Sequence, residues 1–92
     1  MNRDEFRGRL VRSRAGHDIG EIYLVIAEDE RYAFLCNGEE RSISSPKRKN
    51  KKHLALLVNG YETIGQPDDI KIRKLIREYK KVLQNTKEED TV

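Results

Sequence analysis

The sequence predicts a mainly β domain with a C-terminal helix: five short strands forming a small barrel, then an amphipathic helix folded back on it. Three observations carry this expectation. Short apolar runs alternate with turn-forming residues along positions 8–58, the pattern of a small all-β unit. Gly16 and Gly20 punctuate the segment between the first two runs, where a tight loop needs backbone with φ > 0. Beyond Pro67, apolar residues recur at helical spacing: Ile72, Leu75, Ile76, Tyr79, Val82 and Leu83.

Taken in order, residues 8–13 read as the first strand and 14–20 as a loop. Residues 21–26 form the second strand, whose nearly continuous apolar run predicts burial on both faces. Glu28, Asp29 and Glu30 make an acidic turn before a third strand at 32–36. Asn37 and Gly38 both tolerate the φ > 0 of a type I′ turn, so a hairpin returning through 40–44 is expected as the fourth strand. Residues 53–58 supply the fifth. The domain then spans 1–58, a linker 59–66, the helix 67–85 and a frayed tail 86–92. Pro67 suits a first turn, and Asp68 and Asp69 suit its cap and positive end.

At 92 residues the chain is at most one domain with a small core. Charged residues make up 38% and hydrophobic ones 36%, but no long stretch lacks apolar residues, which favours a compact unit over disorder. The single cysteine, Cys36, excludes an internal disulfide. Residues 1–9 carry both signs of charge and one large apolar residue, Phe6, unlike a secretory leader. No apolar run approaches the roughly 20 residues needed to cross a bilayer. A cytoplasmic setting without membrane attachment is expected.

Net charge is +3, and its excess is confined. Residues 46–53 hold five cations and no acid, whereas the flanking segments are slightly acidic or neutral. Lys47, Arg48, Lys49, Lys51 and Lys52, behind Pro46, therefore read as a basic loop able to lie along a polyanion. Five phosphate contacts on a duplex would make log K fall by about four to five per decade of salt. A solvated loop and a localisation signal are the other readings of such a run. Arg12 and Arg14 flank the glycine loop and extend the candidate surface, and His53 closes the run.

Other groups are less promising. His17 and Asp18 are adjacent, so on an extended loop their side chains diverge and form no catalytic dyad. His17, His53 and Cys36 are too few and too scattered for zinc. Cys36, Tyr23, Phe34 and Tyr79 lie within apolar patterns and are expected in the core, whereas Tyr32 and Tyr61 fit either packing or base stacking. No phosphate-binding, dinucleotide or nucleophile-elbow pattern occurs. Neither an enzyme, a cofactor nor a metal is expected.

On these residues the chain resembles KOW-domain RNA-binding proteins. The motif would run from Leu10 to Cys36 with Gly20 as its fixed glycine, Gly16 four residues earlier, and Ile22, Tyr23, Leu24, Val25 and Ile26 after it. The likeness continues through Asn37, Gly38 and Glu39, through the stretch from Pro46 to Leu54, and into Ile72, Arg73 and Lys74. It is similar to short bacterial relatives of the fourteenth archaeal and eukaryotic large-subunit ribosomal protein family. The resemblance implies an SH3-like five-stranded barrel that binds RNA. Its partners would be ribosomal RNA of the large subunit and ribosomal proteins. Gly16, Gly20 and Gly38 would be turn glycines, and Arg12, Arg14, Lys47, Arg48, Lys49, Lys51, Lys52 and His53 the RNA-binding set. Ile19 and Glu21 stand where relatives carry basic residues, which shifts the expected contact to the lysine run. The competing expectation is an SH3-like protein-interaction module, with Glu28, Asp29 and Glu30 or the helix as its surface.

Overall fold

A computed structural model describes residues 5–90, without the side chains of Glu62, Thr63 and residues 85–90. The first four residues of the expected 1–58 domain and the last two of the expected tail lie outside the described residues. The strands are β1 (Arg9–Ser13), β2 (Ile22–Glu28), β3 (Tyr32–Cys36), β4 (Lys47–Asn50) and β5 (Leu54–Asn59). A short α1 (Tyr61–Ile64) precedes α2 (Asp69–Asp90). The strands form one antiparallel sheet in the order β4-β3-β2-β1-β5.

The two outermost strands, β4 and β5, are joined by a single 3₁₀ turn, Lys51–His53. Four peptide steps from Asn50 to Leu54 reach at most about 14 Å. The two ends of the sheet order are therefore drawn together, and the sheet must curl. Irregularities in the β1–β5 and β2–β3 registers, near Arg9 and Val25, add bend. Among the described residues no ladder joins β4 to β5, so the expected barrel is not closed.

The curl gives the sheet two apolar faces. Val11, Tyr23, Val25, Ala33, Leu35 and Leu54 pack together on one. Leu10, Ile22, Leu24 and Cys36 pack on the other, against Ile72, Leu75 and Ile76 of α2. The alternation of β1 and β2 between these clusters follows the two-residue period of a strand. It accounts for the unbroken apolar run of β2, whose residues 22–25 are all buried. Burying three helix side chains contributes roughly 5–9 kcal/mol of transfer free energy. Tyr79 packs partly against the same cluster, but Val82 and Leu83 are 59% and 37% exposed, so the expected apolar stripe is largely exposed beyond Tyr79.

Several expectations are corrected: α2 continues to Asp90, into the expected tail 86–92, and α1 lies within the expected linker 59–66. Residues 40–44 are not a strand; the fourth strand is the basic run itself. Nor do Asn37 and Gly38 form a type I′ turn, because Asn37 does not take φ > 0. Instead the Asn37 side chain accepts from the amides of Glu39 and Arg41, folding a ten-residue connection toward α2. Gly38, at φ 80°, is pressed against the Asp69 carbonyl, and a Cβ there would also sit 2.9 Å from the Arg73 nitrogen. Asp69 Oδ1 accepts from the Ile43 amide at 2.8 Å. Asp68 caps the helix by accepting from the Lys71 amide at 2.8 Å, which places Pro67 before the cap rather than in the first turn.

Candidate nucleic-acid interface

The basic segment is mostly a strand, and strand geometry divides its charges between two faces. Lys47 and Lys49 stand opposite Leu35 and Ala33, on the side of the Val11–Tyr23–Leu35 cluster. Arg48 and Asn50 stand opposite Phe34 and Tyr32, on the other side. The expectation of a basic loop is therefore corrected: a two-residue period, hidden because every residue is polar, turns alternate cations inward.

What meets them is Asp18. Lys47 Nζ lies 2.9 Å from Asp18 Oδ2, and Lys49 Nζ 2.9 Å from Oδ1. Lys49 also donates to the Ala15 carbonyl at 2.9 Å. The Ser13 hydroxyl donates to Oδ1 and the Tyr23 hydroxyl to Oδ2, each at 2.8 Å. Asp18 is held there by the loop around it. Gly16 and Gly20 take φ 90° and 92°, and the Gly20 amide donates to the Ser13 carbonyl at 2.8 Å. Burial disfavours the Asp18 charge, but hydrogen bonds from Lys49, Lys47, Tyr23 and Ser13 outweigh it and hold the carboxyl far below the usual range. Burial, then the bond to and charge of Asp18, push the Tyr23 hydroxyl well upward. The glycine loop thus carries a carboxylate that anchors β4 from within.

Lys51 is committed likewise. Its Nζ lies 2.5 Å from Glu28 Oε1 and 5.2 Å from the centre of the Phe6 ring. Glu28 Oε2 accepts from the amides of Phe6 and Arg7 at 2.9 and 2.6 Å. Oε1, buried, makes the ion pair without a hydrogen bond of good geometry. With its side chain 1% exposed, Glu28 drops out of the acidic patch considered for a protein partner. Asp29 Oδ1 accepts from the Tyr32 and Arg31 amides, which hold its carboxyl below the usual range and make it a turn residue.

Two buried carboxylates thus answer three of the five cations of the run. Arg48 and Lys52 remain exposed, with the Arg48 guanidinium 4.6 Å from the centre of the Tyr32 ring. Lys52 sits in the 3₁₀ turn, which Asn50 caps through its side-chain oxygen. The Arg14 amide donates to the His53 carbonyl at 2.8 Å, and Arg12 lies opposite Ala55 in the β1–β5 register. Arg12, Arg14, Lys52 and half-buried His53 therefore gather where β1 ends and β5 begins. None of these four side chains has a hydrogen bond or ion pair with another described residue.

On α2, Lys71 donates to the Gln66 carbonyl at 3.3 Å, Arg73 to that of Gly38 at 3.4 Å, and Lys81 lies 3.9 Å from Glu78. Lys74 and Arg77 are exposed. Cys36 is fully buried, donates to the Ser42 carbonyl at 3.2 Å, and has its thiol pushed up to about 11, chiefly by burial and secondarily by Asp69. His17 is exposed at the loop while Asp18 turns toward Ser13 and Tyr23. Tyr23 is in the core as expected, but Phe34 belongs to neither cluster. Among the described residues no three His, Cys, Asp or Glu side chains are placed to hold a metal, and no helix is long and apolar enough to cross a membrane.

Sequence reasoning missed Asp18, Glu28, Ser13 and Tyr23 as partners of the lysines. The spacing Lys47, Lys49, Lys51 was the available signal, since it puts three cations on one side of an extended chain. No protein-family model matches the chain, and no curated protein matches it.

Proposed function

We propose that this chain is an RNA-binding protein of the SH3-like KOW type, gripping phosphates through the exposed cations Arg12, Arg14, Lys52 and Arg48, with His53 beside them. The observation that carries this reading is the corner where β1 meets β5. Basic residues from three separate segments, β1, the following loop and the 3₁₀ turn, meet there, and their side chains have no acidic partner among the described residues. Cations that serve stability in this fold are paired inward, as Lys47, Lys49 and Lys51 are. Unpaired ones held on a stiff strand end suit a polyanion, whose bound counterions they displace. The curled five-stranded sheet, with its edge strands joined by one 3₁₀ turn, supports the SH3-like reading. The KOW resemblance supports ribosomal RNA of the large subunit as the ligand, ribosomal proteins as neighbours, a cytoplasmic location and a role without catalysis.

A second reading, docking to a protein, has one specific observation behind it: Val82 and Leu83 on the outer part of α2 are apolar and exposed. Purified protein mixed with ribosomal particles and with deproteinised total RNA separates the two. RNA binding predicts a shift with both that nuclease abolishes. Retention on particles after nuclease, with no shift of free RNA, supports the protein module instead.

A further inference from the structure

We infer that the side of β3 and β4 bearing Tyr32, Phe34 and Arg48 is a stacking surface for unpaired bases, so that the RNA engaged includes a single-stranded segment. This rests on the RNA-binding reading above and adds the kind of RNA. Tyr32 and Phe34 lie two residues apart on β3 and so share one face, with their Cα positions roughly 6.6 Å apart along the strand. Both are half-buried, and neither packs in either apolar cluster. Arg48 stands directly opposite Phe34 in the register and places its guanidinium 4.6 Å from the Tyr32 ring centre. On the other flank, Phe34 is opposite exposed Ala27, which leaves its ring a low neighbour.

Aromatic rings and a guanidinium plane on a half-exposed stretch of sheet are the chemistry that holds nucleobases, because each offers a flat polarisable surface and the arginine adds positive charge. The charge chooses the occupant: a base brings its phosphate with it, and Arg48 can meet both. The surface is also continuous with the cationic corner. Lys52 follows Arg48 by four residues, at most about 14 Å along the chain. A strand of RNA could then run from the ring pair to Lys52, His53 and Arg14 without leaving the protein.

The test compares a short uridine-rich single strand with a blunt RNA duplex of equal length, using wild type, F34L and R48K. Phe34→Leu keeps apolar bulk and removes the ring; Arg48→Lys keeps the charge and removes the plane. Each substitution is expected to weaken single-strand binding by about fivefold to a hundredfold; Phe34→Leu should change duplex binding by less than about twofold, and Arg48→Lys should lose more on the single strand than on the duplex. An iodouridine-substituted strand should crosslink, under long-wave ultraviolet light, to the β3 peptide bearing Tyr32 and Phe34. Unchanged single-strand affinity in R48K, with crosslinks confined to other segments, overturns the inference while leaving duplex binding and the broader reading intact. Equal loss on both substrates in R48K also overturns it, since that marks a plain phosphate contact. A wild-type dimer that R48K disperses assigns the face to a second copy and overturns it too. Failure of wild type to bind either RNA removes this inference and the proposed function together.

Discussion

Lys49 Nζ lies 2.9 Å from Asp18 Oδ1, with both side chains 11% exposed and 31 residues apart in sequence. This pair ties the fourth strand to the loop between the first two, and Lys47 reinforces it from the same strand. The consequence is a division of labour within one basic run, which stability measurements can read. Lys49→Met should destabilise the fold by about 2 kcal/mol, below the roughly 3–5 kcal/mol of a fully orphaned buried charge because Lys47 remains. Lys52→Met, on an exposed residue, should change stability by less than about 0.5 kcal/mol. Urea denaturation of both variants checks this, and equal effects would show that the inward and outward lysines are equivalent.

Acid should loosen the same junction. The folded carboxyl of Asp18 titrates below the unfolded value of about 3.9, because its lysine, tyrosine and serine bonds favour the charged form over the opposing effect of burial. Its stabilisation is therefore complete above about pH 4 and is lost as pH falls through that value toward the folded pKa. Melting temperatures measured from about pH 5 down to about pH 2 should fall steeply for wild type. The Asp18→Asn variant should start lower and fall less. Parallel curves for the two proteins would contradict the assignment of this acid sensitivity to Asp18.

Two glycines with similar backbone angles should respond differently to alanine. Gly38 and Gly20 take φ 80° and 92°, so both substitutions carry backbone strain of about 1–2 kcal/mol. At Gly20 a Cβ meets nothing within 4 Å, whereas at Gly38 it collides with the Asp69 carbonyl and the Arg73 backbone. Gly38→Ala should therefore cost more than Gly20→Ala and should loosen α2 from the sheet. Thermal unfolding of the pair checks the order, and equal losses would show that the connection does not press on the helix.

Cys36 offers a reporter for that loosening. Its thiol is fully buried in the cluster beneath α2 and remains protonated at neutral pH, with its pKa raised to about 11 by burial and, less strongly, by Asp69. A raised pKa stabilises the fold below the unfolded thiol value and ceases to do so as pH rises through the folded one. Thiol labelling at about pH 8 should be slow in wild type, accelerate in Gly38→Ala, and otherwise track unfolding. Rapid labelling of wild type under native conditions would place Cys36 at the surface.

Much of this architecture was legible in the residues. β1, β2, β3 and β5 announce themselves by apolar runs, and α2 by the spacing of Ile72, Leu75, Ile76 and Tyr79. β4 was not legible, because its residues are Lys, Arg, Lys and Asn, and hydropathy carries no period when all positions are polar. Its inward face is satisfied by charge pairing with residues far off in sequence, which local patterns cannot show. The turn signal at Asn37 and Gly38 was real, but Gly38 is needed for contact with α2 rather than for a two-residue hairpin. The cationic run marked the right region, yet its net positive charge is shared with Asp18 and Glu28, so the exposed set shifts to Arg12, Arg14, Arg48 and Lys52.

Replacing every lysine of the run by glutamate would confound binding with folding, since two of the changes place acids beside Asp18. The most direct measurement is the salt dependence of RNA affinity for wild type against the triple variant Arg12→Ser, Arg14→Ser, Lys52→Ser, all exposed positions. Four outward cations on a duplex predict a wild-type slope of log K against log salt of about −3.6, and removing three should bring it to about −0.9 with most of the affinity gone. A triple variant that remains folded and binds RNA with the wild-type affinity and slope would contradict the account.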